Sequence, residues 1–496
     1  MLPNWAMDAL SILTQFFILA IGLGVLVVLV MYARDVSQKR DAIRRNYPVV
    51  GRFRGLFTTL GEFFRQYFFA LDREELPFNR AEREWVYRSS KGHGGTIAFG
   101  STKPLTPVGT AIFVNCPYPV LEEDTAKTQP LRIGPFTRQP YDAPSFFNIS
   151  GMSYGALSKP AVRALSKGAG KAGIWLNTGE GGLAPAHLEG KCDIVFQIGT
   201  AKYGVRTEDG RLSDEKLAEV AGHDAVKMFE VKLSQGAKPG KGGILPAAKV
   251  SKEIAGIRGI PAGQASHSPN RHPEIDSNED LLDIVAHIRE VSGKPVGIKF
   301  VVGAYGWIDE LCEAILARGE DSAPDFFTID SGDGGTGAAP MALMDNVGLP
   351  IRESLPMVAE ILRKHGLKQR IRIIASGKLL IPASVAWALA SGADFVQCGR
   401  GFMFSLGCIQ ALKCHKNTCP TGVTTHKKSL QRGLVPKDKA EKVAEYANTI
   451  RKHVEMIAHS CGVKEPRKLK PMHVRIVQED GRSIAMDQLN FIPPGS

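Results

Sequence analysis

The chain has 496 residues, 44% hydrophobic and 23% charged, an ordinary globular balance that excludes disorder and collagen-like repeats. Its 62 Lys and Arg against 50 Asp and Glu give a net charge of +12, which alone fits nucleic acid, an anionic membrane or acidic small molecules equally well. Eight cysteines in this length make no disulfide scaffold, and 52 glycines, densest in the middle third, point to backbone that approaches ligands.

Residues 9–32 hold no charge and only Ser11, Thr14 and Gln15 as polar interruptions. As a helix rising about 1.5 Å per residue the run reaches roughly 36 Å, past a hydrocarbon core of about 30 Å. No basic residue precedes it, no small-x-small cleavage site follows, and it is too long for a signal-peptide core; a retained anchor over residues 1–33 is the expectation. Only Asp8 stands before the run, whereas Arg34, Lys39, Arg40, Arg44 and Arg45 follow closely. The positive-inside rule then predicts a single-pass membrane protein with its body in the cytoplasm. Part of the positive charge becomes a juxtamembrane collar, which argues against nucleic acid as a partner.

Residues 34–140 mix prolines with an aromatic-rich helical stretch (Phe63, Phe64, Tyr67, Phe68, Phe69) and read as a small covering and linking region without catalytic groups. Over residues 141–430 the pattern turns regular. Short apolar runs suited to buried parallel strands fall at 145–149, 173–177, 193–198, 227–233, 296–302, 325–330, 371–375 and 394–398. Amphipathic helical segments such as 279–291 and 353–365 separate most of them. Eight strands alternating with helices predict an α/β fold, a (β/α)8 TIM barrel, with a doubly wound sheet as the competitor. Polar and glycine residues gather at the carboxyl end of nearly every run, where barrel enzymes place their chemistry. Residues 431–496 read as a C-terminal helical extension.

Gly332-Asp-Gly-Gly-Thr-Gly337 matches G-x-G-x-x-G after a strand, but no convincing helix opens behind it and no acidic residue is suitably placed, so a dinucleotide site is disfavoured. Asp333, Gly334 and Gly335 read instead as a loop over a planar ligand. After strands seven and eight, Ser376-Gly377-Lys378 and Gly399-Arg400-Gly401 offer backbone N–H donors, one fixed cation and a following helix start, the expected phosphate cradle of a barrel. A phosphate-bearing cofactor such as FMN suits this layout, and a tight turn that needs glycine is the plainer alternative. Cys408-x5-Cys414-x4-Cys419-Pro420 is too compact for chance packing. Zinc with His415 or His426 as fourth ligand is one reading, a three-iron cluster on three thiolates another, and a structural role a third. The five scattered cysteines read as small buried hydrophobes.

Gly151-Met-Ser-Tyr-Gly-Ala-Leu-Ser158, Asn177-Thr-Gly-Glu-Gly-Gly182, Gln235-Gly-Ala-Lys-Pro-Gly240, Asp333-Gly-Gly-Thr-Gly337 and the cysteine segment closely resemble the synthase domain of glutamate synthase. The resemblance spans about residues 100–430, and the whole chain resembles the short, membrane-anchored, FMN-binding members of that family. It implies a β/α barrel with FMN and a [3Fe-4S] cluster that reduces 2-iminoglutarate, formed from 2-oxoglutarate and ammonia, to L-glutamate. It further implies that Cys408, Cys414 and Cys419 hold the cluster. Lys238 and Arg258 would grip the dicarboxylate, with Glu180 and Lys238 at the reacting centre. Met152, Ser153, Gln197, Lys299, Asp333, Gly334, Gly335, Ser376, Gly377, Gly399 and Arg400 would contact FMN. An external electron donor, ferredoxin-like or a reductase subunit, is implied, and a homo-oligomer is compatible with it.

The chain opens on Met1 and the apolar run, so the glutaminase domain that delivers ammonia and the pyridine-nucleotide partner domain are expected to be missing. Ile244 stands where the family carries a glutamine that touches substrate, and Lys241 where it often has an acid. The first change predicts a less polar substrate, an N-substituted imine or a different 2-oxo acid. A second reading is a membrane-bound flavin dehydrogenase that passes electrons from an amino or hydroxy acid to a membrane acceptor. A third, a tethered scaffold on a decayed barrel, is opposed by the intact Glu180, Lys238 and cysteine triplet.

Overall fold

The computed structural model describes residues 3–93, 95–304 and 306–491. The chain divides between Ala81 and Glu82 into two compact units. In the first, helix α1 (Asn4–Ser37) reaches a mean hydropathy of 2.8 with none of that stretch buried; among the described residues it is the one helix long and apolar enough to cross a membrane. Its end is fastened by Asp35, which accepts Arg52 Nε at 2.8 Å, Arg52 Nη2 at 2.6 Å and the Val49 N–H at 3.0 Å. After a short helical turn, Ala42–Asn46, and a 3-10 turn, Val50–Arg52, helix α2 (Phe53–Phe64) continues into a π-turn, Arg65–Phe69.

The second unit is built on a closed parallel barrel, as the eight apolar runs predict. Its strands are β1 (Phe147–Ile149), β2 (Leu176–Asn177), β3 (Ile194–Ile198), β4 (Val226–Lys232), β5 (Val296–Val301), β6 (Phe326–Asp330), β7 (Arg372–Ser376) and β8 (Phe395–Cys398), neighbours in chain order. Helices cover the outside, so both faces of each strand are buried and the runs read as continuous apolar segments instead of alternating ones. The run at 173–177 yields only a two-residue strand, and Trp175 just before it joins the core of the barrel floor.

That floor is apolar. Val195, Met228, Phe326, Ile374 and Phe395, all inward at the amino ends of their strands, pack with Trp175 against Ile133, Tyr141 and Ala143. The last three belong to an antiparallel hairpin, Leu131–Ile133 with Tyr141–Ala143, which therefore closes the end of the barrel opposite the carboxyl ends of its strands. Each buried Phe or Met here stabilises by about 1.5–3 kcal/mol.

Outside the barrel, helix Lys159–Ala172 starts on the side-chain cap of Ser158 and packs against α3 (Pro436–Ser460). Contact is close enough that a Cβ on Gly168 would strike Val443. Beyond Ser460 the described C-terminal segment holds three short 3-10 turns, Pro466–Lys468, Pro471–His473 and Met486–Gln488, and two strands. Val474–Val477 and Ser483–Ala485 form a hairpin around Gly481 and pair with Ala111–Phe113, giving a three-stranded sheet. The alternating β-branched pattern of Val474-Arg-Ile-Val477 accounts for the strand.

Candidate functional site

Directly above the apolar floor, the inward side chains of the same strands turn polar. Period-two alternation carries Met228 to Glu230 to Lys232 on β4, Val195 to Gln197 on β3, Phe326 to Thr328 to Asp330 on β6, and Phe395 to Gln397 on β8. Glu230 is fully buried and joins three strands at once: it accepts Asn177 Nδ2 at 2.9 Å, Gln197 Nε2 at 2.6 Å and Thr328 Oγ1 at 2.6 Å. Lys299 on β5 reaches Asp330 Oδ2 at 3.3 Å, and the same oxygen accepts the Gly236 N–H at 3.1 Å. Burial opposes the Lys299 charge, but Asp330, Glu230 and Glu180 outweigh it and raise its pKa. The Gln397 Nε2 group is buried with no hydrogen-bond partner.

At the carboxyl mouth, Glu180 sits in the loop after β2. A Cβ on Gly199 would stand 2.7 Å from Glu180 Cβ, and one on Gly243 would strike its carboxylate, so two glycines make room for this side chain. Lys232 Nζ holds Glu180 Oε2 at 2.9 Å and also contacts Gln235. Burial pushes the Glu180 pKa up, yet Lys232, Lys238 and Arg258 together bring it below the ordinary carboxylate value. Glu180 is therefore an anion at neutral pH. Lys238 is 4% exposed, and among the described residues its ammonium makes no hydrogen bond or ion-pair contact. Desolvation lowers its pKa to about 8, with Glu180 partly opposing the shift. Arg258, also buried, donates to the Tyr154 carbonyl at 3.0 Å and lies 4.8 Å over the Tyr203 ring, with its Nε unpartnered.

The rim loops interlock through missing side chains. Arg400 Nη2 donates to the Thr336 carbonyl at 2.7 Å, and a Cβ on Gly335 would stand 2.6 Å from that same nitrogen. Gly377 has φ +117°, and a Cβ there would strike Ser331. Asp333 takes Lys378 at 2.8 Å and the Ser331 hydroxyl, so the charge of Lys378 is balanced by a carboxylate from another loop. Ser376 Oγ lies 3.5 Å from Ser150 Oγ across the barrel. Among the described residues, the backbone N–H groups of Gly377, Lys378, Gly399 and Arg400 donate to no protein acceptor. Gly399 faces Met152, whose sulfur would lie 3.6 Å from a Cβ at that position, and Gly179 packs on the backbone of Met152 and Ser153.

Cys408, Cys414 and Cys419 lie beyond the short helix Arg400–Ser405 that follows β8, near enough for the charges of Cys414 and Cys419 to weigh on Cys408. Lys249 Nζ organises this loop, donating to the Cys414 carbonyl at 2.8 Å, the Thr424 carbonyl at 2.7 Å and the Ala156 carbonyl at 3.3 Å. His426 Nε2 lies 2.7 Å from the Gly155 carbonyl. Both contacts tie the cysteine loop to the 151–158 segment at the mouth. Among the described residues, no three His, Cys, Asp or Glu side chains converge tightly enough to grip a single ion.

Most residues singled out from the sequence thus meet at one mouth. Glu230, Lys232, Asp330, Asn177 and Thr328 were not singled out, although the first two carried a signal: charges at alternate positions of an otherwise apolar run.

A closed parallel barrel with a buried charged layer opening at the carboxyl ends of its strands defines a β/α-barrel of the enzyme type. Residues 122–464 match the conserved region in glutamate synthase, and the chain belongs to that family. It is 39% identical to the glutamate synthase large subunit-like protein YerD of Bacillus subtilis, covering 96% of this chain and 98% of that one. The archaeal glutamate synthase [NADPH] of Methanocaldococcus jannaschii is 35% identical over 65% of this chain and 60% of its own length, and a Rhizobium meliloti large subunit-like protein is 30% identical over 68% and 76%. Membership makes this chain an oxidoreductase of glutamate synthase type.

Proposed function

We propose that the chain reduces a 2-imino acid, 2-iminoglutarate from 2-oxoglutarate and ammonia or a less polar relative, to the amino acid, with FMN and a [3Fe-4S] cluster as its redox groups. The buried Lys238 ammonium, unpaired beside an ionised Glu180, carries this reading. A desolvated cation without a partner is what an anionic substrate requires.

The residues present fit a flavin. The four unbonded N–H groups at the ends of β7 and β8 suit a phosphate, and the orphaned Gln397 amide and the Gly151 and Gly399 surfaces suit a planar ring. FMN held there would supply hydride chemistry, tuned by Lys299. Cys408, Cys414 and Cys419, close enough for Cys414 and Cys419 to act electrostatically on Cys408, would hold the cluster through their sulfurs.

Lys238 and Arg258 bind the substrate carboxylates. Glu180, ionised and anchored through Oε2 by Lys232, favours the protonated form of the imine nitrogen, which accepts hydride more readily. Gly243 and Ile244 cross beside Glu180, and the half-exposed Ile244 presents an aliphatic surface in place of an amide. That feature favours a substrate less polar than 2-iminoglutarate. We assign α1 as a single-pass anchor with the second unit in the cytoplasm, and a ferredoxin-like protein or reductase subunit as electron donor.

The test is the absorption spectrum and iron content of the purified chain, followed by turnover of 2-oxo acids with ammonia under reduced methyl viologen. Absence of flavin and iron, or no turnover with any 2-oxo acid, sinks the proposal. The apolar α1 keeps a second reading in view, a flavin dehydrogenase delivering electrons to a membrane acceptor. Quinone reduction by an amino or hydroxy acid, without 2-oxo acid turnover, would favour it.

A further inference from the structure

Helix α2 carries an exposed apolar face. Phe53, Leu56, Phe57, Leu60, Phe63 and Phe64 fall at helical spacing on one side, each 38–66% exposed. Arg54, Thr58, Thr59 and Glu62 fall on the other. The π-turn extends the face, with Tyr67 against Phe63 at 4.8 Å between ring centroids and Phe68 against Phe64 at 5.5 Å. A contiguous aromatic surface of this kind marks an interaction site.

Two observations identify what it meets. Arg52, the residue before α2, is clamped to Asp35 in the last turn of α1, so α2 begins where the apolar span ends. Residues 38–66 carry seven Lys and Arg against only Asp41 and Glu62. An aromatic face flanked by arginines, starting at the end of a span, has the chemistry of a helix lying in the headgroup layer.

We propose that α2 and its π-turn lie in the plane of an anionic bilayer, rings among the upper acyl chains and arginines among the phosphates, as a second contact beside α1. This rests on the reading of α1 as an anchor. A span alone fixes only its own segment in the bilayer, whereas an in-plane helix also holds residues 53–69 at the headgroup layer. The aromatic stretch that reads from sequence as part of a cover is, by this inference, a lipid-facing element.

The test uses the full chain in vesicles of phosphatidylcholine and phosphatidylglycerol, with and without bromine on the acyl chains, comparing the exposed-face variants Phe64→Trp and Glu62→Trp. The five native tryptophans are common to both and cancel. The indole introduced by Phe64→Trp is expected to shift to the blue and lose intensity to bromine, and that from Glu62→Trp to do neither. Equal behaviour of the two overturns the inference. Carbonate extraction reads α1 separately: a chain that stays with the membrane while neither indole is quenched refutes the in-plane helix and leaves the anchor standing. Release by carbonate refutes the anchor and this inference with it.

Discussion

Lys238 makes the sharpest prediction. The residue is 4% exposed, and desolvation brings its pKa to about 8. A lysine lowered in this way is charged below that value and neutral above it. If only the charged form grips a carboxylate, affinity for 2-oxoglutarate is flat up to pH 8 and falls about tenfold for each further unit, which is about 1.4 kcal/mol per unit. Calorimetric titration of 2-oxoglutarate without ammonia, from pH 6.5 to 9.5, isolates this from the ionisation of ammonia itself. Glu180 stays ionised throughout that range, its pKa being depressed, and so adds no break of its own. Lys238→Arg keeps its charge and abolishes the pH dependence, and Lys238→Met weakens binding at every pH with a flat profile. A dissociation constant that does not change to pH 9.5, or a break near pH 8 that persists in Lys238→Arg, refutes the reasoning.

Three further outcomes follow from the geometry. Glu230→Ala strands three buried donors at about 1–3 kcal/mol each and should destabilise the chain by roughly 3 kcal/mol or more in urea, whereas Glu230→Gln, which keeps an acceptor in place, should cost about half as much or less; equal losses would contradict the network. Gly377→Ala combines a left-handed backbone with a collision at Ser331, so flavin retention through gel filtration should fall while the barrel's circular dichroism stays intact. Cys414→Ser or Cys419→Ser should abolish the iron content and leave the flavin bands; unchanged iron in both would remove these residues from the cluster.

The barrel was readable because strands buried on both faces produce uninterrupted apolar runs, and all eight runs became its strands. The same feature hid the polar layer. In Lys227-Met-Phe-Glu-Val-Lys-Leu233 the run is apolar overall, and only the parity of Glu230 and Lys232 shows that both point inward. The pairing of Lys378 with Asp333 was not readable, because the two sit in loops after different strands and meet only once the barrel closes. The C-terminal sheet escaped for the same reason, since the strand that completes it lies far upstream at Ala111–Phe113. Helix α2 shows a different limit: an aromatic stripe reads the same whether its partner is protein or lipid, and only its exposure in the folded chain separates the two.

The glycines that let Glu180, Ser331 and Arg400 approach their neighbours leave the rim no slack. Any side chain added at 243, 335 or 377 displaces a group that the neighbouring loop depends on, so the frame resists change. Ile244 is the exception: next to Gly243 on a two-residue strand it is 38% exposed, so a larger or more polar side chain has solvent to extend into. In such a site, new substrates are reached by exchanging one or two projecting side chains on a frozen rim, and position 244 is where redesign of this chain should begin.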